Sequence, residues 1–139
     1  KNKIYYDFMV ILQPTSPFRK SWHISDALTV FSESNSDSLV SVVKVPHSFN
    51  PFSVMSLSQN GYLVPYQEYN ENENMRQLKP TFYARNGAAI YICTYDCLIK
   101  KNSLYGDKII PYEMSQSESI DIDDEWDWTL AELILNLNC

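Results

Sequence analysis

The chain is poor in the residues that most often announce a chemistry. Only three of its 139 residues are glycine. Gly61 reads as part of a hairpin, Gly87 as the opening of a strand, and Gly106 as a link between a helix and a strand, so no glycine-rich phosphate loop is present. There are two histidines, His23 and His47. They stand apart and read as surface or satisfied residues, and no Ser/His/Asp set accompanies them. The three cysteines are an odd count. Cys93 and Cys97 lack a second pair of zinc ligands, so the thiols are read as free, in a reducing cytoplasm. No basic run breaks the net charge of −6, which argues against nucleic acid or an anionic membrane as the main partner. Apolar runs such as Phe8 to Leu12 are far too short to span a bilayer. No signal peptide opens the chain, and a start at Lys1-Asn2-Lys3 running straight into a strand reads as a piece of something longer.

What remains is a globular composition, 45% hydrophobic over a length suited to one domain with one core. Phe8-Met9-Val10-Ile11-Leu12 reads as a strand buried on both faces, as in a parallel sheet. It delivers Gln13-Pro14-Thr15-Ser16-Pro17-Phe18-Arg19, a loop stiffened by two prolines. Ligands of open α/β sheets bind beyond the carboxyl ends of strands, although from the spacing alone a plain βα connection fits better. Ser21 is the expected N-cap of a helix carrying Ile24, Ala27, Leu28 and Phe31 on one face. Leu39 to Val45 is a second strand, completing a strand–helix–strand unit expected to pair in parallel.

From Pro46 to Lys79 the character changes. Asn60-Gly61 marks a hairpin between Val54–Leu57 and Tyr62–Val64. Phe49, Phe52, Tyr62, Tyr66 and Tyr69 in this excursion need cover, from a partner subunit or from the parent domain. Further strands are expected at Ala88–Ile92 and Lys108–Met114, the latter at an edge or bulge because of Pro111. A short helix at Tyr95–Lys101 would be capped by Thr94. The closing helix would turn Trp126, Leu130, Leu133, Ile134 and Leu137 inward.

The stretch Ser119-Ile120-Asp121-Ile122-Asp123-Asp124-Glu125 reads as a strand end entering that helix. Alternation would put Ile120 and Ile122 on one side and Asp121 and Asp123 together on the other. Adjacent carboxylates repel unless a cation lies between them. A hard divalent ion such as Mg²⁺ suits such a pair, since it takes one or two carboxylates and fills its shell with water and phosphate oxygens. On this stretch alone the cap comes ahead of the metal: Asp123 is a good helix N-cap, with Asp124, Glu125 and Asp127 on the positive helix end. The cap assigns no role to Asp121.

Three stretches carry a resemblance. They are Leu12-Gln13-Pro14-Thr15-Ser16-Pro17-Phe18-Arg19, Tyr83-Ala84-Arg85-Asn86-Gly87-Ala88-Ala89-Ile90-Tyr91-Ile92, and Ser119-Ile120-Asp121-Ile122-Asp123 followed by Asp127 and Ala131-Glu132. In order and content they resemble the acylneuraminate cytidylyltransferases, or CMP-sialic acid synthetases, over essentially the whole chain. The likeness is to bacterial members acting on nine-carbon sugars such as legionaminic acid. It implies a three-layer αβα nucleotidyltransferase (Rossmann-like) fold, with residues 1–139 as the C-terminal part of one domain, its N-terminal portion missing, and 46–79 as a β dimerisation arm. It implies transfer of CMP from CTP to the anomeric hydroxyl of a 2-keto sugar acid, with release of pyrophosphate, by a cytoplasmic homodimer.

By the same resemblance, Asp121 and Asp123 match the Mg²⁺-binding acids. Gln13 matches a sugar-contacting glutamine, with Ser16 and Arg19 in the same loop. Arg76 and Arg85 match arginines that serve anionic substrate groups. Asn86 and Tyr91 fall near the sugar-pocket set, and Leu104 and Tyr105 near an aromatic pair offered to the partner's site. Three departures stand out. Aligning on Arg85 and Tyr91 moves Asn86 by one place. Asn50-Pro51-Phe52-Ser53 replaces a lysine-bearing pattern of sialic-acid-specific members. The family's N-terminal strand and basic CTP loop have no counterpart here. Two other readings stand beside this one: a CMP-Kdo synthetase, and a non-catalytic dimerisation or sugar-binding fragment.

Overall fold

A computed structural model of the chain describes residues 6–67, 80–87 and 89–137. Two compact units emerge, Lys1–Val43 with Arg85–Cys139, and Lys44–Ala84. In chain order the elements are β1 (Phe8–Ile11), α1 (Ser21–Glu33), β2 (Ser38–Lys44), β3 (Met55–Leu57), β4 (Leu63–Pro65), β5 (Tyr83–Arg85), β6 (Tyr91–Thr94), β7 (Ile109–Glu113) and α2 (Glu125–Leu137). The architecture is mixed α/β.

The main sheet has the order β1-β6-β2-β5, with β7 also pairing β2. β6 is antiparallel to both β1 and β2, and β7 is parallel to β2. β1 and β2 therefore run the same way, but they do not pair. β6 stands between them, so that Ile11, Tyr91 and Val40 lie abreast. Sequence proximity suggested direct pairing. The intervening strand is supplied from far downstream, by residues that are more thoroughly buried than β1 itself. Phe8, expected inside, is 44% exposed.

β2 is the centre of the unit, with Ser38 to Val42 all buried. On one face Leu39, Ile90 and Ile92 pack with Ala27 and Phe31 of α1, flanked by Ile24, Leu28 and Ile110. On the other face Val40, Val42 and Tyr91 cluster with Ile11. α1 begins at its expected cap, one residue earlier than anticipated. Lys20 takes the cap position, Ser21 is the first helical residue, and buried His23 accepts the Lys20 backbone N–H on Nδ1 at 2.9 Å. A third-position side chain thus satisfies a donor that a serine cap would have left free.

β7 pairs only β2 among the described strands, with Pro111 opposite Val40, an edge place that tolerates the missing proline N–H. Residues 96–100 form one π-helical turn, and Thr94 Oγ1 accepts the Cys97 N–H at 3.2 Å. Cys93 and Cys97 are buried and form no disulfide among the described residues. Burial raises both thiol pKa values, which makes them inert packing groups.

The unit Lys44–Ala84 is built on the β3–β4 hairpin, in register Met55↔Pro65 to Leu57↔Leu63. Gly61 turns it at φ +81°, a conformation open to glycine at no steric cost. Phe52 packs edge-on against Phe82 at 5.7 Å, and Asn50 Nδ2 donates to the Pro80 carbonyl at 3.1 Å. Phe49, Leu57, Tyr62, Leu63 and Tyr66 are each more than 60% exposed. Arg76, Tyr69 and the rest of 68–79 lie outside the described residues.

α2 turns Leu130, Ala131 and Ile134 toward the unit, while Trp126, Leu133 and Leu137 are exposed. The face expected inside is thus only partly so. Its N-terminus is capped by Asp124. Asp124 Oδ1 accepts the Asp127 N–H at 3.0 Å, and Asp127 Oδ2 accepts the N–H groups of Asp123 at 3.0 Å and Asp124 at 3.2 Å. This reciprocal pair does the work that Asp123 was assigned as a cap, and it leaves the Asp123 carboxylate unspent by the helix.

Candidate functional site: a carboxylate pair facing Arg85

Residues 114–124 connect β7 to α2 without forming a strand. The segment is pinned instead. Met114 N–H donates to Val42 O and Ile122 N–H to Thr15 O, both at 2.9 Å. Glu118 lies 3.4 Å from the buried His23 ring. Hydrogen bonding from Ser115, outweighing burial and helped by His23, holds the Glu118 carboxyl below its ordinary pKa.

The expected alternation survives without strand pairing. Ile122 faces an apolar groove of about 240 Å³ with Pro17, Phe18, Trp128 and Leu135. Asp121 and Asp123 face a separate polar cavity of about 400 Å³, whose other lining residues are Gln13, Arg85, Gly87 and Tyr91. Residues far apart in sequence thus meet at the end of β1, the start of β6 and the entry to α2.

Asp121 sits in a fitted seat. A Cβ on Gly87 would lie 1.8 Å from Asp121 Oδ2 and 2.0 Å from its Cγ. Gly87 also has φ +62°, so the absence of a side chain there is required twice over. Asp121 Oδ1 is buried and has no hydrogen-bond partner among the described residues. An enclosed carboxylate oxygen without a donor is costly unless something cationic or protic completes it.

Across the cavity the Arg85 guanidinium is aimed by Tyr105. Arg85 Nη1 donates to the Tyr105 hydroxyl, whose ring centroid is 5.6 Å from the guanidinium carbon. The Tyr105 and Tyr91 hydroxyls are 2.9 Å apart, and the rings meet edge-on at 5.7 Å. The Tyr105 hydrogen bond raises the Arg85 pKa. Burial pushes Tyr91 up. For Tyr105 burial works against the phenolate, but the Tyr91 and Arg85 hydrogen bonds outweigh it and bring the pKa below the tyrosine value. Tyr105 is thus held against Arg85 and Tyr91 of its own chain; Leu104 beside it is half-buried.

Other sequence candidates are committed elsewhere. Arg19 Nη1 donates to Gln13 O at 2.7 Å and Ala89 O at 2.9 Å, clamping the Gln13 loop to the segment before β6. Ser16 is buried with its hydroxyl unpartnered, and is not among the cavity residues. Asn86 is buried and makes three hydrogen bonds: Oδ1 accepts Ser41 Oγ at 2.7 Å, and Nδ2 donates to Ser119 Oγ at 3.0 Å and Met114 Sδ at 3.4 Å. The seat formed by Gly87, and the serines that hold Asn86, escaped the sequence reading. Their only local signal is the Asn86-Gly87 dipeptide, whose Gly87 reads from sequence as the opening of a strand.

No group of three or more His, Cys, Asp or Glu side chains suited to a metal occurs among the described residues, and no described helix is long and apolar enough to cross a membrane. A carboxylate pair with one orphaned oxygen still fits an ion that draws most of its ligands from water and substrate.

No protein-family model matches the chain. Individual relatives do. The chain is 36% identical over 136 residues to CMP-N,N'-diacetyllegionaminic acid synthase of Legionella pneumophila, covering 97% of this chain and 56% of that protein. It is 32% identical over 114 residues to N-acylneuraminate cytidylyltransferase of Streptococcus agalactiae, covering 82% of this chain and 27% of that protein. It is 29% identical over 133 residues to the post-translational flagellin modification protein B of Campylobacter coli, covering 96% and 54%. The chain thus spans about half the length, or less, of these relatives. With the resemblance running through nearly all of its residues, the chain belongs to the acylneuraminate cytidylyltransferase family.

Proposed function

We propose that the protein carrying this chain transfers CMP from CTP to the anomeric hydroxyl of a nine-carbon, sialic-acid-like 2-keto sugar acid, releasing pyrophosphate. The names of the relatives support a cytidylyltransferase acting on such sugars. The observation that carries the reading is the meeting of Asp121, Asp123, Gln13 and Arg85 around one cavity.

Asp121 and Asp123 would hold Mg²⁺, Asp121 through its orphaned Oδ1. A bound Mg²⁺ neutralises charge that builds on phosphate oxygens during displacement. Arg85, a permanent cation steadied by Tyr105, binds the sugar carboxylate, for which a planar fork is well shaped. Gln13 offers its carboxamide to sugar hydroxyls and orients the attacking one. Tyr91 closes the wall beside Arg85 and limits water. The unit Lys44–Ala84, with its exposed aromatic and aliphatic side chains, serves as the arm of a homodimer.

The test is made on the complete protein with CTP, Mg²⁺ and a panel of nonulosonic acids, following pyrophosphate. Asp121→Asn keeps the shape but removes a charged ligand, and should lower turnover by two orders of magnitude or so, in the range for losing a charge-stabilising group. Full turnover in both Asp121→Asn and Asp123→Asn would overturn the reading.

A further inference from the structure

Asn86 lies near residues assigned to sugar binding by resemblance, yet its side chain faces away from the cavity into a closed polar cluster. It is 4% exposed. Its carboxamide takes a hydrogen from Ser41 Oγ of β2 and gives one to Ser119 Oγ and one to Met114 Sδ. Ser41 Oγ in turn accepts the Ile90 N–H at 2.8 Å. Both donors and one of the two acceptor positions of the amide are taken, and Asn86 is not among the residues lining the cavity. The partners are telling: Ser41 is in the rigid centre of the sheet, while Met114 and Ser119 are the ends of the segment leading to Asp121. The next residue, Gly87, is the one whose backbone touches the Asp121 carboxylate.

We propose that Asn86 is a positioning residue, which sets the place of the Asp121 carboxylate by tying its loop, through Ser119, to β2. Asn86 binds no sugar. The role of the site rests on the function proposed above, but the positioning itself is a property of the free chain. Asn86 fixes the loop two residues before Asp121, and the Ile122 N–H bond to Thr15 fixes it one residue after. Gly87 then supplies a floor with no side chain. The carboxylate is held from both sides, with no donor to its Oδ1 among the described residues.

Replacing Asn86 itself would open a buried cluster and could unfold the chain, so Ser119 is the better point of attack. Ser119→Ala removes the anchor on the loop side; Ser119→Thr keeps the hydroxyl. Amide hydrogen exchange of Ile122, measured on the 139-residue chain without ligand, reports the tether. Protection should fall about fivefold in Ser119→Ala, the worth of one hydrogen bond, and return in Ser119→Thr, with exchange in β2 and β6 unchanged. Mn²⁺ binding, followed by water-proton relaxation, should weaken in Ser119→Ala by a similar factor and recover in Ser119→Thr. Unchanged Ile122 protection in Ser119→Ala overturns the proposal, whatever the metal does. Altered protection in a chain that binds no Mn²⁺ even as wild type would uphold the positioning and count against the function.

Discussion

Arg85 is a cation whose direction is set by a phenol. Tyr105 accepts its hydrogen bond and shares a second with Tyr91. The Tyr105 bond raises Arg85; the Tyr91 bond, then the Arg85 bond, lower Tyr105 against its burial, while burial raises Tyr91. In a spectrophotometric titration Tyr105 should therefore ionise before Tyr91, and Tyr105→Phe should delete the early part of the phenolate rise. A titration curve unchanged on its acid side in that variant would mean that Tyr105 is not bonded as described. If the proposed function holds, the same variant should raise KM for the sugar acid more than it lowers kcat, because it loosens a binding group without removing it.

At the scale of elements, α2 and the loop before it make separate predictions. Asp124 is the cap, so Asp124→Ala should cost about 1 kcal/mol of stability, and Asp123→Ala much less. Equal losses in denaturant midpoint for the two variants would return the cap to Asp123. Glu118 gives a pH dependence. Its folded pKa lies below the ordinary value, chiefly through Ser115. Its contribution is thus present above the ordinary carboxylate range and lost as pH falls through the lowered folded value. Glu118→Gln should narrow the stability gap between neutral and acid solution, measured by urea unfolding at both. An unchanged gap would show that the anchor contributes nothing. These elements also show what could be read in advance. The hairpin at Asn60-Gly61, the Pro111 edge strand, α1's apolar face and the opposed sides of Ile122 and the two aspartates follow from local rules. The insertion of β6 between β1 and β2 does not, because nothing local to either strand signals a neighbour so distant in sequence. The capping exchange between Asp124 and Asp127 was hidden by too many adjacent acids, any of which could cap. The bonds that Asn86 makes to Ser41, Ser119 and Met114 are not legible either, because sequence shows that an amide is near a site but not which way it faces.

For the whole molecule the exposed surface is the issue. Tyr62, Leu63 and Tyr66 in one unit, and Trp126, Leu133 and Leu137 on α2 in the other, are all largely exposed. β1 pairs only β6 among the described strands, which leaves an edge of the kind that invites further pairing. The 139-residue chain should accordingly associate at micromolar concentration. Sedimentation velocity would check this, and Tyr62→Lys with Leu63→Glu should weaken association if the hairpin carries it. A monomer in both proteins would remove the arm from the proposed assembly. Since the chain spans only about half of its Legionella relative, and a phosphate cradle is ordinarily made from backbone N–H groups and basic side chains, the isolated chain should release no pyrophosphate from CTP. Release above a metal-free control would place the nucleotide site within these residues.

The contact between Gly87 and Asp121 has a historical corollary. Two positions remote in the chain are interlocked by shape, so selection acts on them jointly. While the acid is retained, a methyl group at 87 has no room, and even alanine is closed to mutation. Should a lineage discard the acid, the steric veto lifts, and only the backbone angle continues to favour glycine or asparagine there. A bulky residue at 87 in a descendant would then be a fossil of lost chemistry at 121, legible from that one position before any assay.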